Sequence, residues 1–454
     1  MKGMSFGWRF LTPVLLGPML NPLNTSMIAV ALVPIGCDLH IPTATTIWLV
    51  AGLYLASAVA QPTLGRMADL IGARRVYLTG LTVTLLAGLI PTLWHSFPGV
   101  LAARLLIGIG TSASYPAALS LIRDHAADFG IPAPPGVLSA LSISAQGMTA
   151  LGPVLGGVLI AVSGWPSIFL VNVPLAAITL VTTLLWVPAD AGPHHRTAGS
   201  LRTGLDAVGI LLFATTVTAL LFFLLHGSRA TLWLLPVAAA GGVMLVLWER
   251  HRAEPFLDVR ALVANPALTR TYARQFLTYL SAYTMMYGFS QWVQTAGGFS
   301  GSQAGYLQLP TAVLAALTGL VVARTTRLRA PLVASGLVPF AGALLILAVH
   351  SSSPVWLLVI VTGLFGIPQG LASVGNQAAL FRQAPEGQLG VASGLSRTAV
   401  YLGAIVSSAF IGLAFPATPT DGGLHLLAPL ILVVSALTAI LALRDRTLRT
   451  PAAV

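Results

Sequence analysis

Apolar runs of membrane-crossing length recur along nearly the whole chain, and they limit its fold more than any other feature. Fourteen can be marked, at about 10–35, 45–64, 76–93, 98–122, 137–162, 167–187, 204–225, 232–248, 271–293, 304–323, 330–349, 354–375, 391–415 and 425–443. A helix needs about 17–25 residues to cross a bilayer. Only 8% of the 454 residues are charged and 56% are hydrophobic, whereas soluble domains carry about 25% charged residues. The polar coat of a soluble globule is missing, so the lipid bilayer is the expected surrounding. Lipid-exposed backbone must satisfy its own hydrogen bonds, and the alternation a barrel requires is absent. The spans are therefore expected to be helices, giving an all-α polytopic membrane protein.

The formal charge of +11 invites a nucleic-acid reading, but the placement of the basic residues opposes it. Of 23 Lys plus Arg, 20 fall in loops or helix ends that alternate to one side. Arg229 falls on the other side, and Arg104 and Arg397 lie within spans. That distribution marks the basic side as cytoplasmic, and no nucleic-acid partner is expected. An even number of spans puts both termini on that side, in agreement with Lys2, Arg9, Arg444, Arg446 and Arg449. The basic start followed by an apolar run resembles a signal peptide, with Ala29-Val-Ala31 as a mimic of a cleavage site. The run is too long for that and is read as a retained first helix. A single cysteine, Cys37, excludes an intrachain disulfide and a cysteine-rich metal site. No zinc, P-loop or dinucleotide motif is present, so no metal and no cofactor is expected.

The spans group as six, two and six. This predicts an N-terminal bundle over 1–187, a linker with two bridging helices over 188–270, and a C-terminal bundle over 271–454. Repeated bundles with a binding site near the midplane between them are a common transporter design. The stretch from Pro188 to Gly204 has the Gly, Pro and His content of a linker. No loop is long enough for a soluble catalytic domain.

Three motifs carry chemistry or mechanics. The first, Gly65-Arg-Met-Ala-Asp69-Leu-Ile-Gly72-Ala-Arg74-Arg75, is expected in a short loop between two apolar runs. Its glycines permit tight turning, and Asp69 among Arg66, Arg74 and Arg75 can accept charge-assisted bonds that lock one conformation; a solvated basic turn is the plainer alternative. The second, Gly152-Pro153-Val-Leu-Gly156-Gly157, lies inside the fifth span, where small residues open a close-packing face. The third, Arg104-Leu-Leu-Ile-Gly108-Ile-Gly110, puts a charge inside the fourth span, where it is costly and marks function unless it snorkels to the interface.

Taken together these stretches resemble the major facilitator superfamily, and within it the fourteen-span branch of drug:proton antiporters of the multidrug efflux type. The loop 65–75 is similar to the family's G-x-L-a-D-r-x-G-r-k signature, 152–157 to its antiporter motif, and 104–110 to its fourth-span R-x-x-x-G-x-G pattern. Trp165-Pro-Ser-Ile-Phe169-Leu-Val-Asn172-Val-Pro174 resembles the opening of its sixth span, and Asp206-Ala-Val-Gly209 the start of its bridging helices. The resemblance implies two six-helix bundles plus two bridging helices, 14 in all. It also implies a monomer in the bacterial cytoplasmic membrane that exports amphiphilic drugs or toxic small molecules by alternating access, with protons as counter-ion. Gating falls to Gly65, Asp69, Gly72, Arg74 and Arg75, with Asp69 docking near Gly390 to Gly394 in the outward-open form. The antiporter motif falls to Gly152, Pro153, Gly156 and Gly157. The pathway is expected to be lined by Asn21, Asn24, Tyr54, Gln61, Thr111, Tyr115 and Gln146 from the first bundle. From the second come Tyr283, Met286, Tyr287, Gln291, Gln369, Arg397 and Tyr401.

The chain departs from the family pattern where coupling is concerned. Asn24 stands where the first-span motif usually has aspartate, and none of the twelve acids falls mid-span. Leu70 and Ala73 replace usual basic residues, and the second-half copy around Gly319 to Arg329 has no aspartate. Either a helix-end acid, Asp38 or Asp124, carries the proton, with Arg104 a further coupling candidate, or coupling is altered or lost. A pathway with Arg104 and no acid favours neutral or anionic compounds. A metabolite or lipid carrier of the same fold is the alternative function. A membrane enzyme is more remote: Gly298-Phe-Ser300-Gly301 resembles a rhomboid-protease serine motif, but no span supplies its histidine, and a serine without a base stays a weak nucleophile.

Overall fold

The computed structural model describes residues 6–129, 131, 135–190, 206–226, 229–252, 259–325, 327–384 and 389–448, and the side chains of several helical residues, Asp69 and Gln146 among them, fall outside that description. Helices account for nearly all of it. Those of the first half are α1 (Trp8–Asp38), α2 (Trp48–Ile71), α3 (Ala73–Leu93), α4 (Phe97–Asp128), α5 (Pro135–Ser163) and α6 (Asn172–Trp186). Two follow in the middle, α7 (Ala207–His226) and α8 (Leu234–His251). The last six begin with α9, built from Pro266–Tyr283, a π-helical turn Thr284–Phe289, and Ser290–Thr295. Next is α10, in two segments Gly301–Leu307 and Leu309–Ala323. The chain ends on α11 (Arg329–Ile346), α12 (Val355–Gln383), α13 (Leu389–Ala414) and α14 (Asp421–Arg444). Among the described residues, eleven helices are long and apolar enough to cross a membrane. The fifth, seventh and ninth expected spans are not among those eleven. In α5 and α7 the described apolar stretch is shorter, Leu151–Ser163 and Ala207–Phe223, and α9 carries Arg270 and Arg274 in its first segment.

Within the first half, α1 packs on α4, α5 and α6, while α4 packs on α2 and α3. The second half repeats this pattern with α9 on α12, α13 and α14 and α11 on α12 and α14. The bridging pair α7 and α8 pack on each other, and α7 covers the seam between α2 and α13. The ends gather on a basic face. Arg74 at the start of α3 donates to the Leu184 carbonyl of α6, and Arg329 at the start of α11 to the Leu443 carbonyl of α14.

The distribution of the core shows how the halves meet. One apolar cluster joins them in the half of the molecule away from the basic face, from Ile28, Ile35 and Val50 to Trp292, Ile405 and Phe415. Toward the basic face the clusters separate, with Phe10, Leu20, Tyr77 and Leu121 in one half and Leu268, Tyr272 and Leu380 in the other. The chain is thus closed on its far face.

The motif 65–75 is not the loop expected. α2 runs through to Ile71 and α3 starts at Ala73, so the only break is Gly72. Gly72 has φ of +107°, a conformation that excludes most side chains. The serine of the enzyme reading is an N-cap: Ser300 and Gln303 form a capping box at the start of α10.

Candidate functional site

The seam between the bundles is built on α1. The carbonyls of the adjacent residues Asn24 and Thr25 accept from opposite bundles, Asn24 from the Arg104 guanidinium at 3.0 Å and Thr25 from the Tyr287 hydroxyl at 2.6 Å. With the Tyr287 proton committed there, Tyr54, 2.9 Å away, is the donor in its contact with Tyr287. Tyr283 stacks on Tyr287 at 5.7 Å and lies 5.1 Å from the Tyr54 ring. The π-helical turn holds Met286 and Tyr287; such turns are frequent at functional sites. Tyr401 of α13 donates to Gln61 of α2 and its ring lies 5.8 Å from that of Tyr54. Toward the basic face, the Arg397 guanidinium lies 4.8 Å over the Tyr115 ring. Tyr54, Gln61, Tyr115, Tyr283, Tyr287, Arg397 and Tyr401 therefore form one aromatic, hydroxyl-rich strip with two cations at its edges.

The remaining pathway residues are less central. Asn21 donates to Thr111 within the first bundle at 2.9 Å. Met286 is buried in the core cluster, and Gln291 is buried with its oxygen unpartnered. Gln369 lines a cavity inside the second bundle rather than the seam. Gln146 lies outside the described residues in its side chain.

Arg104 is 1% exposed. It donates to the carbonyls of Leu49 and Asn24, and its second terminal nitrogen has no partner. Neither it nor Arg397 pairs with a carboxylate among the described residues. Snorkelling is excluded for Arg104 by its burial. Asn24 forms a reciprocal amide pair with Asn172 of α6, at 2.5 and 2.9 Å, and Asn24 also donates to the Leu20 carbonyl and Asn172 to that of Phe169. Both amides are saturated and neutral. Asn172 stands in the sequence stretch read as the opening of the sixth span, but nothing in the sequence announced the pairing.

The glycines of α5 lie where both bundles meet. Gly152 faces Ser26, and Gly156 faces the Met27 carbonyl and Val30, all on α1, whereas Gly157 abuts the backbone of Gly301 and Ser302 at the start of α10. A Cβ on Gly157 would come within 2.7 Å of Ser302 Cα. Pro153 lies against Gly305 of the same segment. This is the contact that closes the far face.

Several partners were invisible in the sequence. Asp190, at the end of the described part of α6 and its tail, accepts from the backbone N–H groups of Arg74 and Arg75 at 2.9 and 3.1 Å. Its carboxylate also occupies the space a side chain on Gly72 would need. Gly65 packs on Pro116, and the side chain of Asp69 lies outside the described residues. On the far face Asp38 accepts from Trp165 at 2.8 Å and contacts His95 at 2.7 Å. The other bundle has a counterpart with helices exchanged: Asp421 of α14 accepts from Trp292 of α9 and from Ser351. Trp292, whose place near a span end reads as an interface belt, is instead fully buried. Asp124 is exposed near the basic end of α4. At the basic ends of α9 and α14, Arg274 and Asp445 form a buried pair at 2.7 Å, both side chains 0% exposed. Burial would raise the Asp445 carboxyl, but hydrogen bonds from Thr447 and Arg274 and the arginine charge hold it below its ordinary value.

Residues 14–408 match the Major Facilitator Superfamily. The chain belongs to this superfamily. It is 34% identical over 447 residues to the uncharacterized MFS-type transporter YwoD of Bacillus subtilis (strain 168), covering 96% of each chain. It is 28% identical over 427 residues to a methylenomycin A resistance protein of Streptomyces coelicolor, covering 90% of this chain and 86% of that one. Among solved structures it resembles a POT family transporter in complex with 5-aminolevulinic acid, with a TM-score of 0.72, 14% identity and 98% of each chain covered; this likeness shows the fold alone. The protein is therefore a multi-pass membrane transporter for small molecules rather than an enzyme, with relatives in antibiotic resistance and multidrug efflux.

Proposed function

We propose that this transporter exports amphiphilic small molecules, neutral or anionic, across the bacterial cytoplasmic membrane by alternating access. The protein acts as a monomer with both termini and the basic face cytoplasmic. Residues 1–187 and 271–454 are the two moving bundles, and 188–270 is the bridge. The substrate site is the strip of Tyr54, Gln61, Tyr283, Tyr287 and Tyr401 between Arg104 and Arg397. The observation that carries the reading is this aromatic seam with two cations that pair with no carboxylate among the described residues. Apolar rings bury an amphiphile and a few polar groups orient it. The closed contact of Pro153 and Gly157 of α5 with α10 of the other bundle supports an inward-facing arrangement. Opening the far face requires that contact to part, with Asp69 docking near Gly390 to Gly394 to hold the basic face shut.

Family resemblance supports proton antiport, through Asp38 or Asp124. The saturated Asn24–Asn172 pair favours a second reading, in which no proton is carried at the first helix and coupling is altered or absent. The test is efflux of a panel of fluorescent cationic, neutral and anionic amphiphiles from an efflux-deficient host, with and without a protonophore. Export confined to permanent cations would overturn the substrate reading. Full activity of Asp69→Ala would overturn the gating assignment.

A further inference from the structure

Four helices of the second bundle close around a small cavity. Its polar wall is Thr278 and Ser281 of α9, Ser335 of α11, Gln369 of α12, and Ser435 and Thr438 of α14. It has room for about one water-sized species. Three of these hydroxyls, on Thr278, Ser281 and Ser435, have no protein partner. Their residues are 6%, 5% and 1% exposed. A helical serine or threonine commonly donates to a carbonyl one turn back. Ser335 and Thr438 do so, to Leu332 and Val434 at 2.7 and 2.8 Å, and keep lone pairs for the cavity. The wall thus offers three uncommitted O–H donors and at least two uncommitted acceptors. The Ser335 carbonyl lacks the N–H that would normally bond it, because Pro339 four residues on has none to give.

This donor set selects its occupant. A bare cation would use oxygen lone pairs and leave three O–H groups buried and unsatisfied. It would also lack a neutralising carboxylate in the wall, which makes its burial costly. Water accepts and donates, and buried waters typically make two to four hydrogen bonds to such groups. We propose that the second bundle binds an internal water here, held by Thr278, Ser281 and Ser435. The site heads a polar stripe of α9, running through Thr271, Arg274, Gln275 and Thr278 to Ser281 at three- and four-residue spacing. The stripe passes through the Arg274–Asp445 pair and includes the buried, unpartnered Gln275 oxygen. The hydrated site lies inside the bundle, apart from the seam, and does not depend on which substrate is carried.

The test is thermal unfolding of the purified protein and of Ser435→Ala and Thr278→Val, each in sodium and in choline buffer. Loss of a hydroxyl that holds a water lowers Tm, by the same amount in either buffer. An unchanged or raised Tm would reveal a dry cavity relieved of an orphan hydroxyl and overturn the proposal. A wild-type Tm that depends on sodium, with that dependence lost in Ser435→Ala, would overturn it in favour of a cation. Where a variant fails to fold, hydroxyl-radical footprinting of the unaltered protein decides. Phe365, in the same wall and 1% exposed, is labelled if water is present beside it, and an unlabelled Phe365 refutes the site.

Discussion

Gly157→Ala isolates the contact that closes the far face. The new Cβ would lie 2.7 Å from Ser302 Cα and 2.9 Å from the Gly301 carbonyl oxygen. Both are backbone atoms and cannot swing aside like a side-chain tip. Overpacking of this kind costs about 1–3 kcal/mol. The penalty exists only while α5 and α10 touch, so opening the far face relieves it and all of it shifts the conformational equilibrium. That is a rise of about 5- to 150-fold in the open:closed ratio. Cys37 is exposed and is first replaced by serine. Spin labels then go on Leu93→Cys and Trp356→Cys, at exposed positions near the far-face ends of α3 and α12. The long-distance population should grow in Gly157→Ala. Gly147→Ala, on the same helix with nothing within 4 Å of its Cβ, should match the parent. A Gly157→Ala distance distribution identical to the parent would refute the role given to this contact.

Asp445→Asn leaves Arg274 buried without its counter-charge, and breaking such a pair costs about 3–5 kcal/mol, read as a large drop in Tm. The native carboxyl is held below its ordinary value, so its contribution is complete above about pH 4 and fades as pH falls through the lower, folded value. Acid should therefore erode the parent's Tm more than the variant's. Asp190→Ala uncaps the N–H groups of Arg74 and Arg75, for a loss of about 0.5–2 kcal/mol; transport should slow with membrane insertion intact, and unaltered transport and Tm would argue against a clasp. Tyr287→Phe removes the hydroxyl shared by Thr25 and Tyr54. At about 1 kcal/mol for a hydrogen bond, the same spin labels should report about a fivefold gain in the far-open population, and no gain would place closure elsewhere.

The helical, membrane-spanning architecture was legible because lipid leaves the backbone few options, so length and apolarity suffice. Arg104 was legible for the same reason: a charge inside an apolar span has no casual explanation. What the sequence hid were partners. Asp190 reads as one acid in a linker, and only the fold brings it to Gly72, more than a hundred residues away. Arg274 reads as a helix-end basic residue because its neighbours are polar, and Asp445 as a terminal acid. Their pairing needs the packing of α9 on α14. Trp292 looks like any tryptophan near a span end until Asp421 is set beside it. Gln369 is the converse, a polar residue at the right depth whose face points into its own bundle.

The neutral Asn24–Asn172 pair and the unpaired Arg104 bear on energetics together. An asparagine amide does not titrate, so this position takes up no proton, and among the described residues the Arg104 cation beside it has no carboxylate partner. An anion leaving an inside-negative cell needs no counter-ion. The membrane potential contributes about 2.3 kcal/mol per charge per 100 mV, enough for about a 50-fold gradient of a monovalent anion. On the proposed reading of an anionic substrate, export needs no first-span acid, because the substrate's own charge would do the coupling. In proteoliposomes, outward flux of an anionic amphiphile should respond to a potassium–valinomycin potential and ignore a pH gradient collapsed by nigericin. Asn24→Asp, which restores a titratable group, should make the flux sensitive to the pH gradient. A parent flux that follows the pH gradient and is indifferent to potential would sink this account and return the proton to Asp38 or Asp124.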